Sequence, residues 1–124
     1  MTLNPEVMKK AQDELDLVIG KERLPEFSDR DNLPYIDAVV KEVLRWNPPL
    51  PISVPNRVTQ DDGTYRGYSI PAGATVIENV WAICRDPSIY ADPEAFNPDR
   101  FLKDGEIDPQ VFNPEDRVFG AGRR

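Results

Sequence analysis

Residues 33–47 read LPYIDAVVKEVLRWN, and this stretch decides the fold. It predicts an amphipathic helix, since Asn32 is available as a cap and Pro34 falls in the first turn, where a missing N–H costs nothing. The Pro48-Pro49 pair ends the predicted helix, because the residue before a proline is disfavoured in the helical region.

One face of this predicted helix is apolar. At about 100° per residue, its apolar side chains share an arc of roughly 160°, which predicts contact with a core. They are Ile36, Val39, Val40, Val43, Leu44 and Trp46. The opposite face is expected to meet solvent and carries Asp37, Lys41, Glu42 and Arg45. Glu42 and Arg45 are three residues apart, and taken alone such a pair is typical of a solvated ion pair contributing ~0.3–0.5 kcal/mol.

The composition excludes several classes of site and partner. A chain of 124 residues suffices for one ordinary domain. Its net charge of −7 argues against a nucleic-acid partner and against attraction to anionic lipid. A single cysteine and no histidine exclude a disulfide framework and an N/S metal cluster built within the chain. No apolar run approaches ~18–20 residues and no signal pattern opens the chain, so we expect neither a membrane span nor an export signal in it.

A second helix is predicted before the first, over about 5–19. Asn4-Pro5-Glu6 supplies a cap, a proline at the first helical position and an acid near the positive end of the helix dipole. The connection at 21–30 is charged and irregular. Its apolar residues Leu24 and Phe27 are expected to fold back onto the core.

Short extended segments are predicted over about 50–78. The alternation of Ile52 and Val54, followed by a proline, predicts an edge strand. Asp61-Asp62-Gly63 lies between two β-prone segments at 57–59 and 64–66 and predicts a hairpin turn.

Three short motifs follow one another along the chain. EVLR at 42–45 matches E-x-x-R, FNPDRF at 96–101 matches F-x-P-(E/D)-R-F, and FGAGRR at 119–124 matches the first six positions of F-x-x-G-x-R-x-C-x-G. Each motif is weak alone. Together, and in this order, they resemble the signatures of the cytochrome P-450 haem-thiolate monooxygenases, and the segments resemble most the microsomal type found in fungi.

The resemblance implies an α+β fold, mainly helical with short β hairpins, that forms a partial cytochrome P-450 domain over residues 1–124. The helices at about 5–19 and 33–47 would be the family's J and K helices, and its β hairpin region would lie at about 50–78. A short helix at about 80–84 precedes the meander and the start of the haem-binding loop over 85–124. We therefore expect a C-terminal-region fragment of a longer protein.

The resemblance also assigns a structural role to three charged residues. Glu42, Arg45 and Arg100 would form a buried triad that joins the K helix to the meander. The triad would fix the register around the haem-binding loop and would not act in acid–base catalysis. The alternative for Glu42 and Arg45 is the solvated surface pair described above.

The haem-binding residues implied by the family pattern are Phe119, Gly122 and Arg124, with Arg124 contacting a haem propionate. Arg57 is a weaker candidate, since an exposed strand arginine is the simpler interpretation, and a solvated basic tail is the alternative for 119–124. The thiolate cysteine would fall two positions after Arg124, so no catalytic residue and no metal ligand is expected within the chain. Cys84 is expected to be a small buried hydrophobe.

The implied activity is that of a haem-dependent monooxygenase, which inserts one atom of O2 into a small organic substrate. Electrons would come from NADPH through NADPH–cytochrome P-450 reductase. The full-length parent would lie on the cytoplasmic face of the endoplasmic reticulum membrane, held by an N-terminal anchor outside this chain, and the fragment alone would be inactive. The alternatives are a truncated or decayed non-enzymatic relative that binds no haem, and a free-standing acidic binding module, which would require three coincidental motifs.

Overall fold

The structure is a computed structural model that describes residues 2–61 and 63–120. Its helices are α1 (Pro5–Val18), α2 (Pro34–Trp46), α3 (Val80–Cys84) and α4 (Glu115–Val118), with 3₁₀ helices at Phe27–Asn32 and Pro98–Phe101. Its strands are β1 (Asn56–Arg57), β2 (Thr64–Tyr65), β3 (Tyr68–Ser69), β4 (Thr75–Val76), β5 (Leu102–Lys103) and β6 (Glu106–Ile107). All pair antiparallel, β1 with β4, β2 with β3 and β5 with β6. This confirms the predicted α+β class, mainly helical with short β pairs.

Helix α2 lies at the centre and contacts α1, both 3₁₀ helices, the β5–β6 hairpin and α4. One group of buried side chains joins it to α1, with Val7 and Ala11 packed against Tyr35 and Val39. A second group lies on another side of α2 and comprises Ala38, Tyr90 and Phe101. Within the described residues, no helix is both long and apolar enough to cross a bilayer.

The start of α2 is held by a side chain from α1. The carboxylate of Glu14 accepts the backbone N–H groups of Tyr35 and Ile36, both at 2.9 Å. The predicted cap, Asn32, is wrong, because Asn32 belongs to the preceding 3₁₀ helix and Leu33 occupies the cap position without a side-chain bond. A remote carboxylate therefore satisfies donors that helix geometry leaves unpaired, at the positive end of the helix dipole.

The buried surface of α2 differs in part from the predicted one. Lys41, Glu42 and Arg45 are buried together with Ala38, whereas Val40 and Val43 of the apolar stripe are each 46% exposed. The predicted apolar stripe is therefore right in part, since Val39 is buried against α1, and wrong for Val40, Val43 and the charged residues. The charged face is buried because later segments supply partners for each charge, and buried charges are tolerated when they are paired.

The connection between α1 and α2 keeps its apolar side chains outside. Phe27 is 99% exposed and Leu24 is also exposed, so the prediction that they pack onto the core is wrong. Polar contacts fix this segment instead. The Arg23 guanidinium donates to both carboxylate oxygens of Asp29, at 2.7 and 2.8 Å, and the backbone N–H of Glu26 donates to the same carboxylate at 2.8 Å. The Arg23 bond is the main reason that the pKa of Asp29 falls to about 2.

The hairpin is formed by β2 and β3, and the predicted pairing across Asp61-Asp62-Gly63 is wrong. Arg66 and Gly67 close the β2–β3 turn at φ values of 51° and 85°, which is the type I′ geometry that suits a two-residue hairpin loop. Asp61 instead accepts the backbone N–H of Ala72 at 2.7 Å. Strand β1 is therefore left to pair with β4.

No strand is present at 51–55, so the predicted edge strand at Ile52 and Val54 is also wrong. Prolines at 51 and 55 lack the N–H that a ladder needs. Ser53 makes the attachment to the rest of the chain: its N–H donates to the Glu78 carbonyl at 2.9 Å, and its hydroxyl accepts the Glu78 N–H at 2.8 Å.

The apolar face of α2 generates a prediction for the isolated chain. Replacing Val40 and Val43 together with Gln should lower binding of the fluorescent dye ANS and leave the far-UV circular dichroism unchanged, because both side chains already meet solvent. The matched control is Val39→Gln, one residue away and buried, which should lose helical signal because an unpaired buried amide costs about 1–3 kcal/mol. If Val39→Gln and the double variant at Val40 and Val43 gave the same circular dichroism, the observed orientation of α2 would be contradicted.

Candidate functional site

Arg45 lies at the C-terminal end of α2 with its side chain 0% exposed. Its Nε and Nη2 donate to the two carboxylate oxygens of Glu42 at 2.7 and 2.9 Å. Its Nη groups also donate to the carbonyl oxygens of Cys84 at 2.9 Å, Pro93 at 2.8 Å and Ala95 at 3.1 Å. All five N–H donors of the guanidinium thus have acceptors, an arrangement that a lysine cannot reproduce.

Glu42, one turn earlier on α2, is the shared acceptor of this cluster. Its side chain is also 0% exposed. Besides the two bonds from Arg45, it accepts the backbone N–H of Asn97 at 2.7 Å and lies 3.2 Å from Nε of Arg100. Two guanidinium groups and one backbone amide therefore surround one carboxylate, so that its lone pairs are satisfied without water.

Arg100 brings the segment at 91–97 into the cluster. Its Nη1 donates to the Ala91 carbonyl, and its Nη2 donates to the carbonyls of Asp92 and Ala95, both at 3.1 Å. Asp92 has a φ of 47°, in the left-handed region that few non-glycine residues adopt. The guanidinium thus holds a loop whose backbone would otherwise favour other conformations.

Tyr90 is part of the cluster and was not predicted from the sequence. Its buried ring lies 5.4 Å from the guanidinium carbon of Arg45, and its hydroxyl donates to the Phe112 carbonyl at 2.9 Å. Burial is the main cause that raises the pKa of the Tyr90 hydroxyl, which therefore stays a donor. No periodicity marks this residue in the sequence, since it lies in an irregular, proline-rich stretch.

Asn97 is the other contributor that sequence reasoning missed. Its N–H reaches Glu42, and its side-chain oxygen accepts the N–H of Asp99 at 3.1 Å, which caps the 3₁₀ helix at Pro98–Phe101. An Asn-Pro pair favours the start of a turn, so Asn97-Pro98 is the signal that the sequence offers at this position. It did not indicate that the same backbone would bind a buried carboxylate.

The structure brings Glu42, Arg45 and Arg100 together, and it excludes the solvated surface pair as a description of Glu42 and Arg45. Chemically, the cluster can hold segments in place and little else, because neither guanidinium gives up a proton near neutral pH and the carboxylate oxygens are fully engaged. It ties α2 to the end of α3 and to the loop before the second 3₁₀ helix.

Cys84 ends α3 and is 0% exposed. Burial raises the pKa of its thiol, and the nearby guanidinium of Arg45 only partly opposes this. A buried protonated thiol is a poor nucleophile and a poor iron ligand. Among residues 2–61 and 63–120, no group of three or more His, Cys, Asp or Glu side chains is arranged to bind a metal ion.

Two of the four residues assigned to haem binding, Phe119 and Arg57, lie within the described part of the chain. Phe119 follows α4 directly and is 77% exposed. Arg57 lies on the exposed strand β1. Its Nη2 passes close to Gly73, at 3.7 Å from the position that a Cβ on that glycine would occupy. Gly122 and Arg124 lie outside the described residues. Among the described residues, the exposed Arg57 carries the charge that a haem propionate requires, and Cys84, buried and with a raised pKa, does not offer a thiolate to the iron.

Comparisons with known proteins agree with this architecture. The sequence model of the family described as Cytochrome P-450 matches residues 1–124. The chain is 56% identical over 125 residues to a cytochrome P-450 monooxygenase of Armillaria gallica, covering 100% of this chain and 24% of the relative. It is 52% identical over 120 residues to one of Coprinopsis cinerea, covering 97% of this chain and 23% of the relative, and 53% identical over 125 residues to one of Ampulloclitocybe clavipes, covering 100% and 23%.

The protein defined by this fold, this cluster and these relatives belongs to the cytochrome P-450 family. Haem and iron are typical of that family. The chain spans about a quarter of the length of the curated relatives that it matches.

The bonding of Arg45 generates a stability prediction. The test uses a chimera in which residues 1–124 replace the matching quarter of the Armillaria gallica relative. Arg45→Lys should lower its free energy of unfolding by about 3–5 kcal/mol, because lysine has three N–H donors where Arg45 uses five, so that at least two buried acceptors lose their bonds. Urea titration measures the change. Arg23→Lys, at an exposed arginine that also binds a carboxylate with two bonds, should cost no more than about 1 kcal/mol. Equal losses of unfolding free energy in the two variants would show that the burial of Arg45 does not contribute to stability.

Proposed function

We propose that residues 1–124 are the part of a haem-thiolate monooxygenase that supports the haem-binding loop. The observation that carries the proposal is the complete engagement of Arg45, whose five donors join α2 to α3 and to the 93–95 loop. Such a cluster adds little net stability, since desolvation offsets the attraction between its charges, and its value lies in fixing one arrangement of segments.

The contacts extend from this cluster toward the loop. Tyr90 stacks near Arg45 and binds the Phe112 carbonyl, and Pro114 is fully buried at the start of α4. Helix α4 then ends at Val118, immediately before Phe119. We infer that the cluster determines where the chain enters the haem-binding loop.

The haem contacts proposed for this chain come from the family pattern. Phe119, Gly122 and Arg124 would lie against the haem, and Arg57 is a further candidate for a propionate. When bound, a thiolate-ligated haem activates dioxygen for insertion of one oxygen atom into an organic substrate. This chain's own residues would orient the loop and contribute positive charge toward the propionates, with the thiolate supplied by a cysteine two positions after Arg124.

Further partners follow from the same proposal. The names of the relatives include the word monooxygenase, which supports the oxygenation of a small organic substrate. Electrons from NADPH through a reductase are what the family resemblance implies. The family resemblance further implies that the full-length protein lies at the cytoplasmic face of the endoplasmic reticulum membrane. Residues 1–124 by themselves are expected to take up no haem and to turn over no substrate. The intact cluster, with each buried donor of Arg45 paired, supports an enzyme over a decayed relative.

Haem content of the chimera with the Armillaria gallica relative tests this proposal. The unaltered chimera should bind haem and give a thiolate-type Soret band in its ferrous–carbonyl form. Arg100→Ala should abolish stable haem incorporation, because it removes one of the two cations on Glu42 and frees the 91–97 loop. Cys84→Ala is the matched control, a change in the same buried region that should leave the thiolate band intact.

Two outcomes would contradict the account. Full haem content with ordinary thermal stability in Arg100→Ala would show that the cluster does not support the haem loop. Loss of the thiolate band in Cys84→Ala, with the fold preserved, would place Cys84 on the iron and would contradict the assignment of the iron ligand to a cysteine two positions after Arg124.

A further inference from the structure

Four charged side chains form a closed ring of alternating sign where the first 3₁₀ helix, α2 and α4 meet. Arg30 Nη2 lies 2.5 Å from Asp37 Oδ1, and Asp37 Oδ2 lies 3.6 Å from Lys41 Nζ. Lys41 Nζ lies 3.7 Å from Glu115 Oε1, which in turn lies 3.8 Å from Arg30 Nη2. Two cations and two carboxylates thus alternate around one junction, and each has an opposite charge on both sides.

Lys41 is the buried member of this ring that reaches α4. The sequence placed it on a solvated face, yet its side chain is 9% exposed, whereas that of Arg30 is 60% exposed. Its Nζ donates to the side-chain oxygen of Asn113 at 3.3 Å, and the same oxygen accepts the backbone N–H of Glu115 at 3.3 Å. One ammonium group therefore contacts Asn113, whose side chain accepts the first N–H of α4, and also interacts through charge with Glu115, the first residue of that helix.

The segment that receives Lys41 is held by two further contacts. The Phe112 carbonyl accepts the Tyr90 hydroxyl at 2.9 Å, and Pro114 is fully buried. These contacts fix the position of residues 112–114. Helix α4 contains four residues, so its N-terminal turn is also the turn that leads into Phe119.

We propose that Lys41 is a positioning residue that, through Glu115 and Asn113, sets the start of α4 and hence the direction in which the chain enters the haem-binding loop. The inference rests on the proposed function and extends it from the Glu42 cluster to a second attachment. The buried charge matters because, without it, the carboxylates of Asp37 and Glu115 would share only the exposed guanidinium of Arg30.

The contrast with an ordinary helix pair sharpens this assignment. Lys9 and Asp13 are also four residues apart, but they lie on α1 with side chains 70% and 59% exposed, and both belong to the same helix. The ion pair between Lys9 and Asp13 therefore does not connect α1 to another element. Lys41 has the same chemistry and a different placement, since it crosses between elements and is screened from solvent.

The test compares Lys41→Met with Lys9→Met in the chimera with the Armillaria gallica relative, prepared without haem and with haem. Lys41→Met should accelerate hydrogen exchange at the amides of Arg117, Val118 and Phe119 by about tenfold or more relative to the amides of α1, since charged hydrogen bonds of this kind contribute about that factor. With haem bound, it should lower the thiolate-type Soret band of the ferrous–carbonyl form. Lys9→Met should change neither, and Lys41→Arg should restore the band at least in part.

A double substitution completes the test. If Lys41 acts through Glu115, then Lys41→Met and Glu115→Gln together should accelerate exchange at Val118 by less than the product of the two single effects. Multiplicative effects, or exchange in α4 that Lys41→Met leaves unchanged, would overturn the proposal. Failure of the unaltered chimera to give the thiolate band would instead count against the proposed function. The hydrogen-exchange rates of the haem-free chimera would still test whether Lys41 positions α4.

Discussion

The bidentate contact between Arg45 and Glu42 is the interaction on which the described structure depends. It lies inside a single helix, yet each partner also reaches chain that lies far along the sequence: Arg45 binds carbonyls at Cys84, Pro93 and Ala95, and Glu42 binds the Asn97 amide and Arg100. These distant segments are irregular and rich in proline, so they have few ladder hydrogen bonds of their own. A planar guanidinium supplies donors where secondary structure does not.

The same junction of α2 carries a second layer of charge. Lys41 lies one turn before Arg45 and binds the segment at 113–115, so that neighbouring turns of one helix attach to separate parts of the chain. Burying these charges costs desolvation energy that their pairing roughly offsets. What the arrangement adds is a defined geometry, because moving either segment would leave a buried ion unpaired. In the proposed arrangement, where the haem-binding loop follows α4, this geometry determines where that loop begins.

Signals from adjacent residues predicted the helices. The wrong predictions concern features that depend on residues far apart in the sequence. The proline and acid at Pro5-Glu6 and the apolar period of α2 are properties of adjacent residues, so both helices could be found. The burial of Lys41 could not, since its partners lie about seventy residues later. Strands of two residues, such as β1, are too short for their sequence pattern to identify the strand with which they pair. Phe27 stays exposed to solvent because the contact between Arg23 and Asp29 fixes the backbone of its segment. The motif residues Glu42, Arg45 and Arg100 were found by resemblance, whereas Tyr90 and Asn97 needed the structure.

A double-mutant cycle on Glu42 and Arg45 tests most directly that the structure depends on their buried contact. In the chimera with the Armillaria gallica relative, Arg45→Met leaves a buried carboxylate without its main partner, and adding Glu42→Gln removes that charge. Because Arg100 also pairs with Glu42, the informative quantity is the coupling: the double variant should cost about 2 kcal/mol less in urea titrations than the sum of the two single costs. If the two single costs simply add, the contact does not hold the structure together and the central claim fails.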